Sequence, residues 1–429
     1  MPDSPLLEKL NSGGMRLQLS ALYAPNGDVP LLRETESRVR RVITGFAQHF
    51  GHTEQAALFS APGRTELGGN HTDHQHGHVL CASVDLDMLA CAAPNGTSLV
   101  RIFSEGYPLL ETDISDLRVK EAERNRSEAL VRGVGAFFAR RGSAVSGFDA
   151  YITSNVPAGS GLSSSAAFEI LLGTIFDHFF SAGELSELDL ARAGQFAENR
   201  YFGKPCGMMD QLGSALGGAA ALDLADPEQP IVKKINYPFE QSGHALCIID
   251  TCSDHADLTD EYAAIPREMG SVASYFGKEV LREVLEEDFL SALPILRTAV
   301  GDRAILRAIH YYREDRRAQQ EGDALAKGDF AEFLRLVNAS GLSSELLLQN
   351  IWSPQDHQRQ PLTLALAYGR MLLSGTGAIR VHGGGFSGTI QAFVPLGKLT
   401  GFREGMEGLL GPGTCHVLRI RPQGGCVIG

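Results

Sequence analysis

At 429 residues the chain exceeds what one hydrophobic core usually serves, because single cores stop growing at about 250–300 residues. The length therefore predicts two lobes and a cleft for a small ligand. With 38 Lys and Arg against 51 Asp and Glu, the formal net charge of -13 argues against broad electrostatic binding to nucleic acid or to an anionic membrane, so any anionic ligand must be held locally.

The seven cysteines (Cys81, Cys91, Cys206, Cys247, Cys252, Cys415 and Cys426) are odd in number, scattered and free of any Cys-x-x-Cys pair. Neither a disulfide framework nor a zinc knuckle is indicated, and a reducing cytoplasm is expected. The N-terminal MPDSPLLEKLNSGG lacks a basic start followed by an apolar region, and no apolar run is long enough to span a bilayer. The closing Cys426-Val427-Ile428-Gly429 reads as the end of a strand.

Residues 1–56 read as largely helical, with Leu32, Val39, Ile43 and Phe46 at helical spacing and Gly51 as a stop. From Ala57 the texture changes to short β-like runs, 58–60, 79–92 and 98–103. Between the first two lies Ala61-Pro62-Gly63-Arg64-Thr65-Glu66-Leu67-Gly68-Gly69-Asn70-His71-Thr72-Asp73-His74. This run suits a polyol, since each hydroxyl offers a donor and an acceptor and calls for carboxylates, amides and imidazoles around it. His71, His74, His76 and His78 with Asp73 invite a metal reading, but their order fits no helix-face pair or zinc spacing. A polar turn without function is the plainer alternative.

Residues 127–140 predict a helix and 148–153 a strand, which gives way to Val156-Pro157-Ala158-Gly159-Ser160-Gly161-Leu162-Ser163-Ser164-Ser165 and then to a buried helix over 168–180. That junction can hold phosphate. Gly159 and Gly161 let the backbone approach an anion, a helix opening near Ser163 aims free N–H groups at it, and the serines add hydroxyls. The alternative is a Ser-capped turn into an ordinary helix. A further helix covers 189–202.

Cys206-Gly207-Met208-Met209-Asp210-Gln211 sets a carboxylate among Gly and Met, where it is either a cap or a working base. Strands follow over 219–224 and 244–250, and 265–350 is mainly helical, with Arg313, Glu314, Arg316 and Arg317 read as a solvated face. Gly383-Gly384-Gly385-Phe386-Ser387-Gly388 is either a close backbone approach to a ligand or a tight corner. Strands over 389–394 and 416–420 close the chain. The mixed order gives α+β, with helices segregated from antiparallel sheet.

These segments together resemble one family. Gly63-Arg64 through His71-Thr72-Asp73 is similar to the galactokinase signature. Residues 156–169 resemble the phosphate loop of the superfamily of galactokinase, homoserine kinase, mevalonate kinase and phosphomevalonate kinase (GHMP), and Gly383 to Gly388 resembles its last motif. Cys206 to Gln211 looks like the segment that bears the catalytic Asp. The resemblance runs on through Leu22-Tyr23, Ala197-Glu198, Glu261-Tyr262 and Arg307 to Glu314, so it covers nearly the whole chain.

It implies a two-lobed GHMP-kinase fold with mixed and antiparallel sheets. Residues 1–235 would form the first lobe and 236–429 the second, with the active site in the cleft between them. It also implies a cytoplasmic sugar 1-kinase using ATP and Mg²⁺, with a small-molecule sugar as partner and neither nucleic acid nor membrane. ATP phosphates would lie on Gly159, Ser160, Gly161, Leu162, Ser163, Ser164 and Ser165, with Ser165 and Glu198 holding Mg²⁺. Asp210 would take or orient the proton of the sugar's C1 hydroxyl, and Arg64 would lower the Asp210 pKa and stabilise the transferred group. His71, Asp73, Gly207 and Tyr262 would hold the outer hydroxyls.

The chain departs from the pattern at Glu66, where galactokinases have Asn, and at Asn70, where they have the Glu that grips the sugar's C6 end. His74 stands for the usual Tyr and His382 for the usual Thr. Asn70 could bind a C6 hydroxyl or a C6 carboxylate, so galactose leads, with galacturonate, N-acetylgalactosamine or a related sugar as alternatives. A sugar sensor without turnover is the reading from another class.

Overall fold

The computed structural model describes residues 4–157, 159, 161–252, 259–353, 357–386 and 388–429. Its largest sheet is built on β1 (Ala57–Gly68) and β2 (His78–Pro94), paired antiparallel. Successive side chains go to opposite faces, as the pleat requires. Leu58, Leu89 and Cys91 pack with Leu32, Val39, Ile43 and Phe46 of the helix Val29–Phe50. Phe59, Ala90 and Ala92 pack with Val134, Phe138, Ile175 and Phe176 of the helices Ser127–Arg140 and Ser164–Phe180. Helices therefore cover both faces of the sheet. Gly51 stops the first of these helices at φ 73°, its N–H on the Ala47 carbonyl.

The other strands of this sheet are β3 (Leu99–Ser104), β4 (Leu110–Asp113), β5 (Phe148–Ser154), β6 (Ala219–Asp223) and β7 (Ile231–Ile235). A second, four-stranded sheet takes β8 (His244–Asp250), β9 (Ala378–His382), β10 (Thr389–Pro395) and β11 (Cys415–Leu418), in the order β11-β8-β10-β9. The last strand, β12 (Cys426–Ile428), returns to pair with β1, so the large sheet runs β12-β1-β2-β5-β3-β4 with β6 and β7 branching from β2. Pairing is antiparallel except between β3 and β5. The expected α+β class and the expected end-of-chain strand both match.

Three expectations change. β1 does not stop after Ser60 but continues through the signature to Gly68, with register shifts between Pro62 and Arg64 and between Glu66 and Gly68. Such bulges re-aim side chains, and here they tolerate Pro62 within the strand. The helix expected over 189–202 changes to a π-turn at Ala197–Phe202. Glu314 lies fully buried on the helix Asp302–Ala326, whereas Arg313 and Arg316 of the same stretch are exposed as read. Between the two sheets Leu67, Leu80 and Val84 meet Ile248, Phe333 and Phe393 in one core. Among the described residues no helix is long and apolar enough to cross a membrane.

Candidate active site

Arg64 is the pivot of the site. Its backbone N–H donates to the Leu162 carbonyl at 3.0 Å, which ties β1 to the Ser-rich loop. Its side chain, 7% exposed, donates from Nε and Nη2 to Asp210 Oδ1, both at 2.8 Å, and from Nη1 to the Gly161 carbonyl. Asp210 sits in the first turn of the short helix Met209–Ala215, and its Oδ2 accepts from Ser163 Oγ at 2.8 Å. The loop, the arginine and the aspartate, far apart in sequence, thus meet in one place. Burial pushes the Asp210 carboxyl up, but the Arg64 charge and the hydrogen bonds from Arg64 and Ser163 outweigh it and hold the pKa below the ordinary value.

Ser163 adopts φ 54°, a left-handed conformation that a non-glycine residue takes only when its surroundings hold it there. It stands at the N-cap of the helix Ser164–Phe180, yet its hydroxyl is spent on Asp210 and makes no cap. The plain Ser-capped turn is therefore not what forms. The amino end of a 17-residue helix is left without a side-chain cap, an arrangement suited to an anion. A Cβ on Gly161 would come within 2.7 Å of Thr389 Oγ1 and 2.9 Å of His382 Nδ1, so the loop fits against β9 and β10 only with glycine there. Gly159 takes φ 76°, and Ser164 and Ser165 lie in the helix's first turn. Ser160, like Ser387 of the glycine-rich motif, lies outside the described residues.

Arg64, Glu66, His71, Asp73, Gly207, Asp210 and Tyr262 all line one cavity of about 310 Å³. A Cβ on Gly207 would lie 2.6 Å from Asp73 Oδ2, which is why this wall needs glycine. Tyr262 donates its hydroxyl to the Gly385 carbonyl at 2.8 Å and packs where a side chain on residue 384 would stand. The glycine-rich motif is thus a close approach of backbone to this wall. His71 Nε2 pairs with the Gly384 carbonyl at 3.0 Å, and burial lowers the His71 pKa to about 4, leaving a neutral ring. Burial and then the Asp210 charge raise Asp73 to about 6.

Asn70 is the sequence-predicted contact that does not reach the cavity. It is fully buried, its amide donating to the Gly383 carbonyl at 2.7 Å and to Glu66 Oε1 at 3.2 Å, its Oδ1 accepting from Asn350 at 3.1 Å and Ser344 at 3.3 Å. Of this pair, the residue that lines the cavity is Glu66, whose Oε1 accepts from Arg380 Nη2 at 2.6 Å. His382 lies behind this wall. Glu66 N–H donates to its Nε2 at 3.3 Å, so its Nδ1 carries the proton and donates to Thr389 Oγ1 at 3.2 Å.

Glu198, on the π-turn, is buried with Oε2 accepting from Gln211 Nε2 at 2.9 Å and Cys206 Sγ at 3.1 Å, while Lys204 Nζ stands 3.5 Å from Oε1. Gln211 Nε2 also donates to Glu169 Oε2 at 2.9 Å, and Glu169 Oε1 is buried with no hydrogen-bond donor. Burial, then the neighbouring Glu198, pushes the Glu169 carboxyl well above its usual range. Hard oxygen donors with spare capacity beside an uncapped helix end fit a magnesium ion carried with phosphates, since Mg²⁺ characteristically takes one or two carboxylates plus substrate oxygens. Among the described residues no group of three or more His, Cys, Asp or Glu is disposed to hold a metal by itself, and that includes the imidazoles from His71 to His78. Lys204, Glu169 and Arg380 were given no role from the sequence, although Glu169 closes the stretch 156–169, Arg380 stands two residues before His382 and Lys204 two residues before Cys206.

Residues 129–218 match the model of the GHMP kinases N terminal domain, and residues 44–94 match the galactokinase galactose-binding signature. A galactokinase of Glaesserella parasuis serovar 5 (strain SH0165) is 31% identical over 364 residues, spanning 84% of this chain and 91% of that protein. Among solved structures, Lactococcus lactis galactokinase complexed with galactose superposes with a TM-score of 0.77 at 25% identity, covering 91% of this chain and 99% of that one. The Methanococcus jannaschii mevalonate kinase shares the fold, at TM-score 0.60 and 14% identity over 86% of this chain and 99% of that one. The chain belongs to the galactokinase family of the GHMP kinases and is an ATP-using sugar kinase.

Proposed function

We propose that the protein transfers the terminal phosphoryl group of ATP to the C1 hydroxyl of galactose in one in-line step. The observation that carries this reading is the Arg64 clamp, which joins Asp210 to the Gly161 carbonyl of the phosphate loop across one cavity. The sugar hydroxyl lies against Asp210 and the phosphates against Gly159 to Ser165. The lowered pKa makes Asp210 a weak base toward the ground-state hydroxyl, so it orients the nucleophile and takes the proton late, as the new P–O bond forms. Arg64 holds that carboxylate and offers positive charge to the transferring group. Ser165 and Glu198 would hold Mg²⁺, which supplies neutralisation of phosphate charge. Residues 1–235 and 236–429 serve as the two lobes, with the division between β7 and β8 and the closing strand β12 reaching back to the first sheet.

Glu66, Asp73 and Asp210 give the cavity an acidic wall, which favours galactose over galacturonate because a carboxylate on the sugar would be repelled there. Coupled ADP release across galactose, galacturonate and N-acetylgalactosamine tests this. Turnover highest with galactose is expected, and turnover at the no-sugar level with galactose rejects it. Sugar phosphate formation also rules out a pure sensor.

Asp73 gives a pH dependence. Its charged form accepts sugar hydroxyls, and its pKa of about 6 means that this form is lost as pH falls through 6, whereas Asp210 stays ionised there. The value of kcat/KM for sugar should therefore drop about tenfold per pH unit below that point. In Asp73→Asn that acid limb should disappear along with much of the sugar affinity. An unchanged limb in the variant would assign it elsewhere.

A further inference from the structure

Lys204 is a wall of the sugar cavity, and the backbone explains why it stands there. The π-turn ends at Gly203, φ 92°, and the N–H groups of Gly203 and Lys204 both donate to the Glu198 carbonyl, at 2.9 and 3.2 Å. Glycine is favoured at 203 by this left-handed φ, which side chains rarely adopt. The chain is thereby folded back so that Lys204 Nζ lies 3.5 Å from Glu198 Oε1.

The two cations on this cavity differ in freedom. Arg64 is 7% exposed and already spent on Asp210 and Gly161. Lys204 is 65% exposed, on a four-carbon stem, and its ion pair is longer than a hydrogen bond. The carboxylates nearby are Glu66, Asp73 and Asp210 on the cavity and Glu198 beneath Lys204. A phosphoryl group in transfer spreads negative charge over three oxygens and enters this acidic setting. Of the two cations, only Lys204 has an exposed end that can turn to meet it, and the buried Glu198 that it leaves keeps its hydrogen bonds from Gln211 and Cys206. If Glu198 is engaged by a divalent cation, the hold on Lys204 weakens and the ammonium is free to move.

We propose that Lys204 is a phosphate-binding residue of the transfer site, its ammonium turning from Glu198 to the oxygens of the terminal phosphoryl group as that group passes from ATP to the sugar. The inference rests on the assignment of the Ser163 loop and Glu198 to ATP.

Calorimetric titration of the full chain with a nonhydrolysable ATP analogue and with ADP, each with Mg²⁺, tests it on wild type, Lys204→Met and Lys204→Arg. A charge-assisted contact to the terminal phosphate predicts that Lys204→Met weakens the triphosphate analogue about tenfold and ADP less than about twofold, with Lys204→Arg within about threefold of wild type. A Lys204→Met protein that keeps the wild-type ratio of the two affinities, or loses both equally, overturns the proposal. Galactose titrated into the same samples separates the two readings. A wild type that binds both nucleotides but no galactose removes galactose as substrate, and the nucleotide ratio still decides Lys204.

Discussion

Asp210→Ala lowers kcat by about 10²–10⁴-fold, the range that a positioned acid–base group supplies, while the nucleotide still binds. The loss has two sources. The sugar hydroxyl loses its orienting acceptor, and Arg64, 7% exposed, loses the carboxylate that fixes it, so the guanidinium no longer points between hydroxyl and phosphate loop. Because these two side chains act as a unit, Arg64→Met combined with Asp210→Ala should cost about as much as the worse single change rather than the product of the two. Asp210→Asn keeps the shape but turns an NH₂ group toward either Arg64 or Ser163, both donors, so it should not rescue. Single-turnover formation of sugar phosphate checks this, and an Asp210→Ala protein within about tenfold of wild-type kcat would leave the mechanism without its base.

How much of this site the sequence discloses depends on how local the chemistry is. Arg64, Asp210 and the Ser163 loop were legible through the resemblance of their short runs to one family, since residue type and spacing alone left a polar turn, a cap and a Ser-capped turn open, and the fold class was legible from the order of helical and alternating segments. Glu66 and Asn70 could be seen to have exchanged residue types, but not which of them faces the ligand. That depends on the β1 register shift after Glu66 and on partners from distant segments, Arg380, Asn350 and Gly383. Glu314 was misread because charge on a helix usually means solvent. Here it accepts from Ser340 and pairs with Arg317 in the interior, contacts that no spacing within the helix reveals. The π-turn was equally hidden, since 189–202 has a helical pattern throughout and only Gly203 marks its end.

Exchanging the two residues, Glu66→Asn with Asn70→Glu, should destabilise the protein by about 3–5 kcal/mol, the cost of breaking a buried ion pair on one side. Arg380 is 1% exposed, and its Nη2 donates to both Glu66 Oε1 at 2.6 Å and the Glu66 carbonyl at 3.0 Å. Burial pushes the Glu66 carboxyl up, and Arg380 is the principal charge drawing it back. With Asn at 66 the guanidinium keeps Gln391, Ser340 and a Glu314 oxygen 3.9 Å away, none of which replaces the lost carboxylate. At 70 the new carboxylate would face the Gly383 carbonyl, where the present amide donates, and would lie near Glu314, which accepts from the Asn70 N–H at 3.3 Å. An acceptor would thus replace a donor in a dry site. Urea unfolding of the exchanged protein, with galactose kcat/KM measured on the same sample, reads both consequences. Stability within about 1 kcal/mol of wild type and unchanged kcat/KM would show that the two positions are interchangeable and that Arg380 does not fix which carboxylate meets the sugar.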